Sequence, residues 1–109
     1  MAEFMARRLS EYADGRNVPR SLEAGRTSGL SPYLRAGHLS IQEVVERVFA
    51  GVDWKPADLG RAGKRDDFYC RDANVNSFLD EAMTWRDVGY HWHNHRHADA
   101  ASLARALPE

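Results

Sequence analysis

One apolar stripe with a clear start and stop most constrains the fold of this chain. Ser40 and Glu43 stand at the spacing of a capping box, in which the two side chains satisfy free amide groups at the start of a helix. Behind them apolar side chains recur at helical spacing until Gly51, and these are Ile41, Val44, Val45, Val48 and Phe49. The pattern predicts an amphipathic helix from residue 41 to about residue 50, with one buried face.

Two shorter helices are predicted before this one. Residues from roughly Ala2 to Ala13 place apolar side chains at helical spacing, and Gly15 and Pro19 end the pattern. Ser31-Pro32 then starts a short helix that Gly37 stops. The serine is the predicted N-cap, and the proline lies in the first turn, where its missing N–H costs nothing.

The longest helix is predicted nearer the C-terminus, with Asn76 or Ser77 as its N-cap. Its apolar face follows spacings of three and four residues and consists of Phe78, Ala82, Trp85, Gly89 and Trp92. A weaker helix is expected after His97, through Leu103. No stretch alternates polar and apolar residues as a half-buried strand does. The chain is therefore predicted to be all-α, a small bundle of about four helices.

An irregular stretch from Gly51 to Asn74 separates the two strongest helices. Its glycines, its proline and its mixed charges predict a long exposed loop with one short turn. Trp54, Phe68 and Tyr69 are the expected anchors of this loop. Loops of such length tend to be functional or disordered.

The length and the net charge of the chain allow one small domain with no general attraction to a charged partner. The chain has 109 residues and a net charge of −1, so binding to nucleic acid or anionic lipid requires a local patch. Cys70 is the single cysteine, which excludes an internal disulfide and is typical of a reducing cytoplasm. No apolar run approaches a membrane span, and Glu3 stands where a signal peptide would be basic and apolar. We therefore expect a soluble cytoplasmic protein without membrane contact.

Three hydroxyl side chains lie at the start of the second predicted helix. They belong to Thr27, Ser28 and Ser31, and Gly29 between them lets the backbone approach a ligand closely. The free N–H groups and the dipole at a helix N-terminus attract anions, so this bend could cradle a phosphate or diphosphate. The alternative is that Ser31 only caps its helix and the other two are loop residues.

Glu81, Trp85 and Arg86 form a second group, on the longest helix. Glu81 and Trp85 are four residues apart and should share one helical face, with Arg86 beside them. A ring that stacks and a carboxylate that accepts or lends a proton can together hold a planar ligand. The alternative is a Glu81–Arg86 contact at the surface beside a core tryptophan.

Four histidines alternate with other residues near the end of this helix, and they are His91, His93, His95 and His97. Their i,i+4 pairs match metal-ligand spacing. No cysteine pair or carboxylate–histidine pair completes a site, and the C-terminal helix dipole accounts for histidines at this place. Adventitious metal binding is the favoured interpretation of this run, and a histidine-dependent metal protein is a third alternative for the function.

Three strings of residues follow one another along the chain. The first is Tyr12-x3-Arg16-Asn17-x-Pro19. The second is Thr27-Ser28-Gly29-Leu30-Ser31-Pro32-Tyr33-Leu34, followed by Gly37-His38-Leu39-Ser40. The third is Phe78-Leu79-Asp80-Glu81-x3-Trp85-Arg86-Asp87. In this order and spacing they resemble the flavin-binding helical domain of the DNA photolyase/cryptochrome family, and the interval from Glu81 to Trp85 is closer to that of the class II branch.

The resemblance implies a U-shaped FAD in an all-helical domain and light-driven repair of pyrimidine dimers in DNA. It implies that Tyr12 contacts the phosphates of the flavin nucleotide. The turn around the diphosphate would consist of Thr27, Ser28, Gly29, Leu30 and Ser31. Arg86 would lie against flavin or lesion. Glu81 would hydrogen-bond the dimer as a catalytic residue, with Trp85 as the second catalytic residue.

Family members also have an α/β antenna domain and a C-terminal helical half, and these 109 residues contain neither. We therefore expect residues 1–109 to be a partial FAD-binding domain that is inactive by itself. Damaged DNA is the expected partner, and a homodimer through exposed apolar faces is a further expectation. The alternative is a non-catalytic helical module that binds nucleic acid or a protein. Its basic patch would consist of Arg20, Arg26, Arg35, Lys64 and Arg65.

Overall fold

The computed structural model describes residues 1–20, 24–60 and 63–100, and of residues 97–100 it describes the backbone. Within these ranges every regular element is a helix, which confirms the prediction of an all-α bundle. In the same part of the chain, no helix combines the length and the apolar character that crossing a membrane requires.

The N-terminal helical segment is continuous, although its hydrogen-bond pattern changes twice. It is a π-helix over Phe4–Arg8, a 3-10 helix over Leu9–Glu11 and an α-helix, α1, over Tyr12–Gly15. Its buried side chains are Phe4, Leu9 and Tyr12. The segment ends at Gly15, as predicted, and it presents one apolar face to the rest of the molecule.

Helix α2 covers Ser31–Arg35. Gly37 follows it with a φ of 74°, a left-handed conformation that glycine adopts without strain, so the predicted stop is confirmed. The prediction of Ser31 as the N-cap is wrong. Leu30 occupies that position with helical dihedral angles, and its amide donates to the Ser28 hydroxyl at 3.3 Å. The helical turn therefore starts one residue earlier than predicted.

Helix α3 covers Ile41–Gly51, as predicted. The Ser40 hydroxyl accepts from the amide of Glu43 at 3.1 Å, which is the first half of the predicted capping box. The Glu43 carboxylate accepts from Arg47 at 2.7 Å instead of reaching back to the Ser40 amide. The fully buried side chains of α3 are Val44 and Val48. The serine cap and the apolar stripe thus define this helix, as the sequence indicates.

The loop after α3 contains one short turn, a 3-10 helix over Pro56–Asp58. Trp54 anchors the loop, because its ring stacks on Phe49 with centroids 4.1 Å apart and its indole N–H donates to the Tyr69 carbonyl at 2.9 Å. Tyr69 is also buried. Phe68 is 41% exposed and packs only edge-on against Tyr69, so the predicted third anchor does not reach the core.

The longest helix consists of three consecutive parts. They are α4 over Ala73–Leu79, a π-helix over Asp80–Thr84 and α5 over Trp85–Ala100. Arg96 interrupts α5 with non-helical angles of φ −124° and ψ 25°, near the place where the sequence predicts the helix to end. Of the weaker helix expected after His97, the backbone up to Ala100 belongs to α5, and the remainder lies outside the described residues.

Asp72 is the N-cap of α4, and the prediction of Asn76 or Ser77 is wrong. The Asp72 carboxylate accepts from the amides of Asn74 and Val75 at 2.9 and 3.1 Å. Asn76 is buried inside the helix, and its side-chain oxygen accepts from the amide of Tyr69 at 2.8 Å. Asn76 therefore holds the loop against the helix instead of starting the helix.

Three aromatic rings join the N-terminal segment to α4. The centroid of Phe4 lies 4.8 Å from that of Phe78 and 5.8 Å from that of Tyr12, and Tyr12 lies 5.4 Å from Phe78. Asn74 reinforces the contact, because its amide group bonds the backbone of Ala13 and of Ser10 at 2.9 Å each. This cluster fixes the position of Tyr12 relative to the C-terminal helix.

The capping geometry of α4 generates a direct test. Asp72→Ala should lower the free energy of unfolding by about 1 kcal/mol, because two helix amides lose their partner. Ser77→Ala is the matched control, and it should change this free energy by less than about 0.5 kcal/mol. Urea unfolding followed by circular dichroism measures both values. Equal losses in the two variants would contradict the assignment of the cap.

Candidate ligand cleft

A cleft of about 320 Å³ lies between helix α3, the π-helix over Asp80–Thr84 and the bend that leads into α2. We use the term bend for residues 27–31. Its walls contain six of the nine residues that the sequence predicts for a site, and these are Tyr12, Ser28, Leu30, Ser31, Glu81 and Arg86. Apolar residues complete the lining, namely Leu34, Ile41, Val44, Phe78 and Ala82. Residues far apart in the sequence therefore converge on one concave surface.

The π-helix over Asp80–Thr84 decides which side chains face this cleft. In a π-helix the hydrogen bonds join residues i and i+5, so the turn is wider than in an α-helix. The side chains that follow it therefore point in different directions from those that a regular α-helix would give them. Glu81 and Arg86, five residues apart, both line the cleft. Trp85 is 55% exposed and lines a separate cleft of about 350 Å³. The expectation that Glu81 and Trp85 share a face is therefore not met.

Glu81 is paired with an arginine that the sequence reasoning did not include among the site residues. Its Oε1 lies 2.8 Å from Nη1 of Arg16, and the two side chains are 34% and 20% exposed. The Nε of Arg16 is buried and has no hydrogen-bond partner among the described residues. The signal that could have identified Arg16 was its position four residues after Tyr12, one helical turn further on.

Arg86 forms no ion pair with Glu81, so the alternative of a Glu81–Arg86 contact at the surface is excluded. Its guanidinium donates to the Tyr90 hydroxyl at 3.0 Å and lies 5.1 Å from the centroid of the Tyr90 ring. Trp85 is not a core tryptophan either, because more than half of it is exposed. Arg86 therefore lines the cleft, and its guanidinium is held by the exposed side chain of Tyr90.

Tyr12 forms the part of the cleft nearest the core. It is 8% exposed, and the Arg16 guanidinium carbon lies 5.9 Å from the centroid of its ring. Burial raises the pKa of the Tyr12 phenol above its ordinary value; the nearby Arg16 opposes this shift and Glu81 adds to it. The phenol is therefore a neutral hydrogen-bonding group at physiological pH.

The bend is less open to anions than the sequence suggests. The amide of Leu30 is already bonded to the Ser28 hydroxyl, and the carbonyl of Leu30 accepts from the first turn of α2. Helix α2 has only five residues, so its dipole is small. Thr27 and Gly29 line a different cleft on the other side of the bend. Of the predicted diphosphate turn, Ser28, Leu30 and Ser31 reach the candidate site.

The histidine run does not build a metal centre in the described structure. The rings of His91 and His95 lie 4.3 Å apart. Across the described residues, however, no group of three or more His, Cys, Asp or Glu side chains could hold a metal ion. The side chain of His97 lies outside the described residues.

The alternative basic patch is partly neutralised. Arg26 forms an ion pair with Glu11, and Arg65 forms one with the mostly buried carboxylate of Asp80 at 3.2 Å. Lys64 and Arg65 line the cleft of Trp85, whereas Arg20 lines another cavity, beside Asn17. These five cations do not share one of the described clefts.

Comparison of the chain with protein-family models, with curated proteins and with solved structures finds no match. The chemistry of the cleft and the three sequence strings that converge there are the features of this chain that bear on its function. Each string contributes at least one side chain to the lining. Tyr12 comes from the first string, Ser28 and Ser31 come from the second, and Glu81 comes from the third.

The raised pKa of Tyr12 predicts how Tyr12→Phe changes the pH dependence of stability. Above about pH 10 the phenol in the unfolded chain releases its proton before the buried one does, so the folded wild type loses stability as pH rises. Phenylalanine has no such proton. The unfolding free energy of wild type minus that of the variant should therefore fall between pH 9 and pH 11. Urea unfolding at several pH values measures this difference, and a constant difference would contradict the buried phenol.

Proposed function

We propose that the cleft binds part of a flavin nucleotide, FAD, and that the chain corresponds to part of the flavin-binding helical domain of a photolyase-like protein. The observation that carries the proposal is the convergence of the three sequence strings on one cleft. Tyr12 comes from the first string, Ser28 and Ser31 from the second, and Glu81 and Arg86 from the third.

The lining suits one end of a dinucleotide. Arg86 supplies a guanidinium that can bind a phosphate through two parallel N–H groups. Ser28, Ser31 and the neutral Tyr12 phenol add hydroxyl groups that donate or accept hydrogen bonds. Val44 and Phe78 provide an apolar floor against which a planar ring can pack. This combination of apolar walls and a few placed polar groups is typical of cofactor sites.

The volume sets a limit on what the cleft can hold. At about 320 Å³ it lies at the lower end of the range for small-molecule sites, so it encloses a portion of FAD and leaves the remainder in water. Light-driven repair of pyrimidine dimers is the reaction that the resemblance implies, with Glu81 as the acid that hydrogen-bonds the lesion. Because Glu81 is paired with Arg16 and Trp85 lies outside the cleft, we propose flavin binding without repair activity for the isolated chain.

Two partners belong to this proposal. Damaged DNA is proposed on the strength of the three strings alone. A homodimer is supported by the exposed apolar side chains of α5, which are Trp85, Val88, Tyr90 and Trp92, each between 42% and 59% exposed. Light scattering at rising protein concentration measures this association.

The nucleic-acid-binding module without flavin has weaker support, because Arg26 and Arg65 are already in ion pairs.

Titration of the purified chain with FAD, followed by flavin fluorescence, tests the proposal. Wild type should give a saturable change, and Arg86→Gln should weaken the affinity about tenfold, because a charge-assisted bond to phosphate is lost. Riboflavin, which has no phosphate, should bind with the same affinity to wild type and to Arg86→Gln.

Two controls accompany this titration. Arg71→Gln removes an equal charge from an exposed position outside the cleft and should leave the FAD affinity unchanged. Trp85→Phe should also leave it unchanged, because Trp85 lines the other cleft. A chain that shows no saturable change with FAD, or one in which Arg71→Gln weakens binding as much as Arg86→Gln, would refute the proposed site.

A further inference from the structure

A second cleft lies on the opposite side of the bend from the proposed flavin site. It has a volume of about 700 Å³ and is bounded by the N-terminal helical segment, the bend and the start of α3. We name it the N-terminal cleft. The residues that carry its chemistry are Glu3, Phe4, Arg8, Leu30, Leu39 and Arg47.

The floor of the N-terminal cleft is apolar. Phe4 and Leu30 are 2% and 4% exposed, and Leu39 packs against the same core. Pro32 and Tyr33 continue the apolar surface along one wall. A cavity of this size and lining falls within the range that encloses a small organic molecule. The floor therefore favours a ligand with an apolar body.

One charged side chain lies mostly below the rim of this cleft. Arg8 is 17% exposed at its side chain, and its guanidinium bonds Glu3 at 2.8 Å and the Thr27 carbonyl at 3.5 Å. Glu3 is the solvent-exposed half of the pair, with 63% of its side chain exposed. Gly29 lies beside them, and a Cβ there would stand 4.0 Å from Nη1 of Arg8. Because most of the Glu3 side chain lies in water, a carboxylate supplied by a ligand can take its place on Arg8.

The geometry of Arg8 and the apolar floor together favour a carboxylate with an apolar body. Arg8 is paired with Glu3, and Arg47 at the rim is paired with Glu43 at 2.7 Å. A ligand carboxylate that takes the place of Glu3 fits the planar fork of the guanidinium through two parallel bonds. The displaced Glu3 carboxylate, whose side chain is already 63% exposed, then lies in water. Inorganic phosphate has no apolar body to lie on the floor and should therefore bind more weakly.

We propose that the N-terminal cleft binds a small monocarboxylate with an apolar body. The carboxylate takes the place of Glu3 on Arg8, and the apolar body lies on Phe4, Leu30 and Leu39. Ser28 and Leu30 line both clefts, whereas Arg8 and Glu3 line the N-terminal cleft and not the flavin cleft. Variants of Arg8 and Glu3 therefore test this site separately from the flavin proposal.

Isothermal titration calorimetry with 3-phenylpropionate, octanoate and inorganic phosphate tests the inference. At least one of the two carboxylates should bind wild type with a 1:1 stoichiometry, and phosphate should bind at least tenfold more weakly. Arg8→Gln should weaken carboxylate binding tenfold or more. Glu3→Gln should strengthen it severalfold, because the competing carboxylate is gone. Arg7→Gln is the matched control, exposed on the same helical segment and outside the cleft, and should leave the affinity unchanged.

The signs of these changes decide the outcome. Absence of saturable heat with both carboxylates, weaker binding in Glu3→Gln, or equal losses in Arg7→Gln and Arg8→Gln would each overturn the proposal. Phosphate that binds as tightly as the carboxylates would show a general anion site instead, which also overturns it. If Arg8→Gln fails to fold, the exposed Glu3→Gln variant carries the test alone. FAD affinity in Glu3→Gln should equal that of wild type, which separates this result from the flavin titration.

Discussion

The packing of Tyr12 against Phe4 and Phe78 joins the two ends of the described structure, and the candidate site depends on it. The N-terminal segment is short and changes its hydrogen-bond pattern twice, so its own backbone does not hold it in place. The ring cluster and the Asn74 side chain fix it against α4. As a result, Arg16 at the end of the segment reaches Glu81 on the π-helix, and the bend that follows closes one side of the cleft.

The π-helix over Asp80–Thr84 then divides the side chains of the long C-terminal helix between two clefts. It directs Glu81 and Arg86 into the proposed flavin cleft and Trp85 into the neighbouring one. Such single wide turns are frequent at functional sites, because they move side chains out of the regular α-helical register. Beyond it, α5 exposes large aromatic side chains and contributes little to the core. The long C-terminal helix therefore packs in the core at its start and exposes aromatic side chains at its end.

The sequence predicts those parts of the fold whose causes are local. The Ser40 cap, the Val44 and Val48 stripe and the Gly37 stop are all confirmed, because each depends on neighbouring residues. Asp72, Asn76 and Ser77 offer the same local capping signal, and the choice among them depends on the contact of Asn76 with the backbone of Tyr69, seven residues earlier in the loop. The pairing of Glu81 with Arg16, across 65 positions, and the register shift before Trp85 have tertiary causes that helical spacing cannot reveal.

Amide NMR mapping with FAD tests whether the three distant strings form one ligand surface. Chemical-shift changes should concentrate on Tyr12, on the bend from Ser28 to Ser31 and on the helix from Glu81 to Arg86. They should be small in α5 beyond Val88 and in the loop around Phe68. Changes that fall mainly on those outer regions, or changes in one string without the other two, would contradict the account.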